Sequence, residues 1–130
     1  MVVYTGGLLA WKGVDVLIAA ASELPEAQVL IAGGMPADVE RARAQAAGLA
    51  NVRIDGFQPP ARVPLYLAAA DVGVLPNRSK PAISARYTSP LKAFEYMAAG
   101  LPIVASDLPS LREVLDGDSM TTFVQPGDPG

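Results

Sequence analysis

Two short stretches of this 130-residue chain carry side chains whose types and spacing could do chemistry. The first is Ser89-Pro90-Leu91-Lys92, with Glu95 one helical turn beyond Leu91. Serine is a favoured helix N-cap and proline a favoured first helical residue, so the segment reads as the start of a helix. The first turn of a helix leaves backbone N–H groups unpaired at the positive end of its dipole, which makes it a ready anion site. Pro90 has no N–H, so the amides of Leu91 and Lys92 are the expected donors. The dipole adds roughly 0.3–2 kcal/mol toward a bound anion, too little to hold one alone. Glu95 is an acid among Phe94, Tyr96, Met97 and Ala98. Such a residue either pairs with a cation, here Lys92, or accepts hydrogen bonds from ligand hydroxyls. The pair alone is worth only about 0.2–0.5 kcal/mol.

The second stretch is Gly6-Gly7-Leu8-Leu9-Ala10-Trp11-Lys12-Gly13. Its glycines let the backbone approach a ligand closely, and Lys12 stands at the mouth of the next helix, placed for a phosphate. A lysine about 4 Å from a phosphate charge near a surface contributes up to about 4 kcal/mol before desolvation. This is not a Walker loop, because no Ser or Thr follows Lys12 to hold magnesium. Nor is it a dinucleotide fingerprint, since Gly6 and Gly7 are adjacent and the third glycine is absent. Taken alone, a Gly-Gly turn is an ordinary turn. Brought together, the two stretches surround a diphosphate with a lysine, a glycine loop and a helix N-terminus. A carboxylate then lies one turn deeper for vicinal hydroxyls. A nucleoside-diphosphate sugar requires that constellation.

The elements between must bring them together. Residues 2–5 read as a strand, 13–24 as a helix and 27–32 as a buried strand. Residues 36–47 read as a surface helix, with Pro36 at its first position and Gly48 just past its end. Residues 51–55 alternate around Val52 and Ile54 as a strand near a sheet edge does. A helix over 61–70 tolerates Pro64 only in its first turn. A strand over 71–76, a polar loop over 77–88, a helix over 90–99 and a strand over 103–105 follow. Ser110 with Glu113 predicts a capping box for a short last helix, and 122–124 a final strand. This alternation implies right-handed crossovers and a doubly wound α/β fold, a mostly parallel sheet with helices on both faces. Such folds bind ligands at the carboxyl ends of the strands, where the strand order reverses. One domain is expected over residues 1–125, with a linker-like tail over 126–130.

Composition removes several chemistries. Neither cysteine nor histidine occurs, which excludes disulfides, thiolate nucleophiles, the usual zinc sites and every Ser-His or Cys-His arrangement. The acids are scattered, so no metal site is predicted. Hydrophobic residues make up 51% and charged residues 18%, the balance of a globular chain. A net charge of −3 argues against a nucleic-acid binder and leaves any anionic ligand to a few placed groups. No apolar run reaches the ~18 residues of a membrane span. The sequence does not open on a signal-peptide pattern, so the expected compartment is the cytoplasm. Trp11 is expected to anchor its loop, Tyr66 to pack its helix, and Phe94, Tyr96 and Met97 to lie in the core. Glu23, Glu26, Asp38, Glu40, Arg41 and Arg43 read as solvated faces, and Asp107 and Glu113 as caps.

In order and nearly end to end, the chain resembles the group 1 family of retaining GT-B glycosyltransferases. The matching segments are YTGGLLAWKGVDVLIAAASELP, VLIAGG, NVRIDGF, YLAAADVGVLPN and SPLKAFEYMAAGLPIVASDLPSLREVL, the last being the most specific. The resemblance implies a Rossmann-like, donor-binding C-terminal half of a GT-B enzyme of hexosyltransferase type. It implies a nucleoside-diphosphate sugar as substrate, no cofactor, and transfer that is retaining and metal-independent. Lys12 then faces the diphosphate with Gly6, Gly7, Ser89, Leu91 and Lys92, Glu95 holds the ribose, and Phe57 neighbours the base. The acceptor belongs to a missing N-terminal domain, so this fragment is expected to bind without turnover.

Two positions depart from the family pattern. Tyr87 stands where a sugar-binding glutamate is expected, and Gly7 where an arginine is expected. Tyr87 with Thr88 is then the sugar contact, and Arg78 or Arg86 the substitute cation. Base, sugar, acceptor, oligomeric state and any contact of the parent with the inner face of a membrane stay open. A degenerate, non-catalytic sugar-nucleotide module of the same family is the alternative that stays closest. A nicotinamide-binding domain wants an acid where this chain has Ala32-Gly33-Gly34. A signalling receiver wants an acidic cluster where it has Thr5-Gly6-Gly7.

Overall fold

The computed structural model of the chain describes residues 1–80 and 91–130. Its first part alternates β1 (Val2–Thr5), α1 (Val14–Glu23), β2 (Val29–Ala32), α2 (Pro36–Gln45) and β3 (Val52–Gly56). Then follow α3 (Val63–Ala69), β4 (Val72–Leu75), α4 (Leu91–Ala98), β5 (Ile103–Ser106), α5 (Pro109–Leu115) and β6 (Thr121–Val124). Short 3-10 turns at Ala10–Lys12 and Pro60–Arg62 precede α1 and α3. Among the described residues no helix is long and apolar enough to cross a membrane.

The strands form one six-stranded parallel sheet in the order β3-β2-β1-β4-β5-β6, a Rossmann-like arrangement. The chain winds outward from β1 to β3, then returns to β4 on the other side of β1, so the order reverses between β1 and β4. Side chains alternate across the pleat, and β1 shows the consequence. Val3 enters the core beneath α3, α4 and α5, whereas Tyr4 enters the core beneath α1 and α2. Leu17, Ile18 and Ile31 anchor the second of these cores, each contributing ~1.5–3 kcal/mol by burial.

Two expectations about the helices fail. Leu108 is the N-cap of α5 and Pro109 its first residue, so Ser110 lies inside the helix with a buried hydroxyl that has no partner. There is no capping box: proline at the first helical position outweighs the Ser110–Glu113 pattern. Asp107 instead grips Arg112 with two hydrogen bonds of 2.7 and 3.0 Å. Only Tyr96 of the three apolar residues expected in the core of α4 is buried; Phe94 and Met97 are exposed. An unforeseen strut is Asn51, which is buried with its amide nitrogen 2.9–3.1 Å from the carbonyls of Ala21, Leu24 and Ala27, so that its two N–H groups are shared among three acceptors. It thereby ties the end of α1 to the turn that leads into β2.

Candidate functional site

The loops after β1, β2 and β3 meet the first turns of α4 at the carboxyl rim of the sheet. They enclose a cleft of about 630 Å³. Gly6 and Gly7 come from the first loop, Gly33 and Gly34 from the second, Phe57 and Gln58 from the third, and Leu91, Lys92 and Glu95 from α4. The loops are laced by their backbones. Gly6 donates to Ala32 at 3.0 Å, Gly33 to Gly56 at 2.6 Å, and the Tyr4 hydroxyl to the Gly7 carbonyl at 2.6 Å. Gly33 needs to be glycine twice over. Its φ is +128°, and a Cβ there would stand 2.0 Å from the Gly6 carbonyl oxygen.

Lys92 reaches back over the first loop: a Cβ on Gly6 would lie 3.3 Å from its Cε. Its Nζ is 3.3 Å from Glu95 Oε2, and each side chain is about one-third exposed, at 33% and 32%. Lys12 flanks this pair without lining the cleft itself. Burial lowers the pKa of its ammonium from the ordinary lysine value, and the neighbouring charge of Lys92 lowers it further. An anion held near Lys12 favours its charged form. Glu95 adds an acceptor in the same space, so the cleft offers cationic and acceptor groups side by side.

The structure brings six of the twelve residues singled out from the sequence to one cleft, and Lys12 is not among them. Gly6, Gly7, Phe57, Leu91, Lys92 and Glu95 line one cleft. Phe57 leaves 71% of its surface exposed. Arg78 does not line the cleft: it pairs with Asp15 and lines an adjoining hollow of about 220 Å³, beside Trp11 and Lys80, that shares Leu8, Leu9 and Asp38 with it. The cation proposed from Arg78 is therefore not brought to the cleft. Arg86, Tyr87, Thr88 and Ser89 lie outside the described residues. A Cβ on Gly7 would meet no atom within 4 Å, so open space surrounds the position where the family pattern carries an arginine.

Two contributors escaped the sequence reading. Gly33-Gly34 repeats after β2 the doublet that follows β1, and that repetition was the available signal. Asp38, expected on a solvated face, lines the cleft and pairs at 2.7 Å with Arg41. Arg41 also donates to the Leu8 carbonyl at 3.3 Å, tying α2 to the first loop. Nothing local marks this, because an acid in the first turn of a helix complements the dipole wherever it faces.

The family profile described as Glycosyl transferases group 1 matches residues 1–130. The putative teichuronic acid biosynthesis glycosyltransferase TuaH of Bacillus subtilis is 36% identical over 84 residues, 58% of this chain and 21% of its own length. A phosphatidyl-myo-inositol mannosyltransferase of Mycobacterium leprae is 34% identical over 122 residues, 90% of this chain and 30% of its own. The crystal structure of Anabaena HepE in complex with UDP and glucose superposes with a TM-score of 0.80 at 23% identity, over 98% of this chain and 35% of that one. The chain thus spans between 21% and 35% of the length of these relatives.

Proposed function

This chain belongs to the group 1 glycosyltransferases, and we propose that its cleft binds a nucleoside-diphosphate sugar as glycosyl donor. The observation that carries the reading is the meeting of Lys92, Glu95 and the Gly6-Gly7 loop in one cleft, with Lys12 close enough to Lys92 to feel its charge. The diphosphate lies over Gly6 and Gly7, between the two lysines and the amides of Leu91 and Lys92. The ribose hydroxyls donate to Glu95, and the base extends toward Phe57 and Gln58. Tyr87 and Thr88 are carried as sugar contacts from the sequence alone.

Binding exchanges one set of partners for another. The Lys92–Glu95 contact spans three residues on a partly exposed helix face and is worth only about 0.2–0.5 kcal/mol. A phosphate takes Lys92 and a ribose hydroxyl takes Glu95 at little cost. In the transfer itself, negative charge grows on the departing diphosphate as the glycosidic bond breaks. Lys12, Lys92 and the helix amides stabilise that charge without a metal, and the configuration at the sugar is retained. The acceptor and the rest of the machinery come from another domain of the parent, closing over this rim. The chain alone binds donor and does not turn it over.

Calorimetric titration with UDP, GDP and ADP and with their sugar conjugates tests the reading. Saturable, weak binding is expected, with Glu95→Ala costing about 1–3 kcal/mol. Absence of binding by all of these nucleotides, or an undiminished affinity in Glu95→Ala, would remove the site assignment.

A further inference from the structure

β1 is paired with β2 along its whole length, but with β4 only at its start. The β1–β4 register joins Val2 to Val72 and Val3 to Gly73 and goes no further. The amides of Val2 and Gly6 donate to Gln28 and Ala32 on the β2 side. By alternation, those of Val3 and Thr5 face β4. The Thr5 amide finds no strand there. It donates instead to the Tyr96 hydroxyl at 3.0 Å in a buried setting, with Thr5 Oγ1 3.5 Å from the same oxygen. Tyr96 is wholly buried, and its ring occupies the space beside Gly73, where a Cβ would stand 2.6 Å from it. The tyrosine follows Glu95 directly and lies one helical turn after Lys92, while Thr5 immediately precedes Gly6.

We propose that Tyr96 is a positioning residue for the donor site: its hydroxyl bridges the open end of the β1–β4 gap and fixes α4, with Lys92 and Glu95, against the Gly6-Gly7 loop. A buried N–H without a partner is disfavoured, so the bond resists opening. The ring alone fills core volume and holds the helix to the sheet. The oxygen sets where along β1 the helix docks, and hence how far Lys92 stands from the loop. Proximity of this kind governs how well a charged ligand is met on both sides. The inference rests on the donor reading for its ligand, but the spacing it concerns exists in the empty protein.

Tyr96→Phe keeps the ring and removes the oxygen. The test compares it with the parent chain in three measurements: UDP affinity by calorimetry, amide hydrogen exchange, and titration of the Lys12 amine by NMR. In the parent, the Thr5 amide is expected to exchange as slowly as the amides paired between β1 and β2. In Tyr96→Phe, Thr5 and Gly6 exchange about tenfold faster or more. UDP affinity falls on the order of tenfold. The Lys12 titration moves back toward the ordinary lysine range as Lys92 withdraws. A folded Tyr96→Phe with parental UDP affinity and a parental Lys12 titration overturns the proposal. If UDP binds neither protein, the donor reading fails, and the Lys12 titration and Thr5 exchange still decide the role of Tyr96. If the variant does not fold, the parent decides: a Thr5 amide exchanging at the rate of exposed loop amides overturns the proposal.

Discussion

The cleft at the strand ends and the hollow beside α1 teach different things about concave surfaces. The hollow, about 330 Å³, is lined by Ala20 of α1 and Leu24 just past its end, by Val74, Val104 and Val124 of three neighbouring strands, and by the tail from Gly127 to Gly130. Its strand residues are the aliphatic face of a parallel sheet, a surface that such sheets normally cover. The cleft, about 630 Å³, brings Lys92 together with the carboxylates of Glu95 and Asp38 against backbone freed by glycine. Both shapes can take a partner; the hollow adds Ser106, Gln125 and Asp128 to its aliphatic lining, whereas the cleft holds charges of both signs. Convergence of unlike groups from separate elements, rather than volume, marks the site.

Substitutions can break or sharpen that contrast. The largest effect is expected from Gly33→Val, whose Cβ stands 2.0 Å from the Gly6 carbonyl oxygen. It should abolish nucleotide binding and lower stability by roughly 2–4 kcal/mol, read by denaturant melts. Next, the affinity of the cleft should depend on pH through Lys12. In the empty protein burial and Lys92 depress this ammonium below its ordinary 10.5, whereas a bound diphosphate favours the charged form. Binding should therefore take up a proton between the depressed value and 10.5, and affinity should fall as pH rises through the depressed value. The stability of the empty protein runs the other way. The unfolded chain binds more protons in that window, so stability rises with pH across it. Lys12→Ala should erase both dependences, which calorimetry and melts at several pH values will show.

Gly7→Arg adds a side chain where the structure leaves open space. Diphosphate binding is expected to tighten about tenfold, or ~1.4 kcal/mol. An unchanged affinity would mean that position 7 does not face the anion. The smallest effect belongs to the hollow. Val124→Ser should leave nucleotide affinity unaltered and move stability by no more than about 0.5 kcal/mol. A loss of UDP binding there would show that the two concavities are coupled after all.

Much of this architecture is legible in the order of residues, for local reasons. The run Val29–Ala32 is apolar throughout because a central parallel strand is buried on both faces. Val52 and Ile54 alternate because β3 stands at an edge. Lys92 and Glu95 could be placed together because helix geometry fixes neighbours three residues apart. What could not be read depends on distant partners. Arg78 does not line the cleft because Asp15, far away in sequence, takes it. Asn51 serves carbonyls 24 to 30 residues earlier. In α4 the most apolar residues, Leu91, Phe94 and Met97, are the exposed ones while Tyr96 faces inward, so hydrophobicity does not mark the buried side. The role of Tyr96 needed the register of β1 against β4, which composition does not encode.

The Lys92–Glu95 contact has a consequence for discrimination. In the vacant protein each of these groups answers the other, so the rim is electrically quieter than its lysines imply. A small inorganic anion can take the lysine, and the partly exposed carboxylate then turns to water. A molecule bearing phosphate at one end and paired hydroxyls at the other satisfies both halves of the parted couple at once. The pair itself is worth only about 0.2–0.5 kcal/mol, so it biases the rim toward a two-ended ligand by no more than about a factor of two.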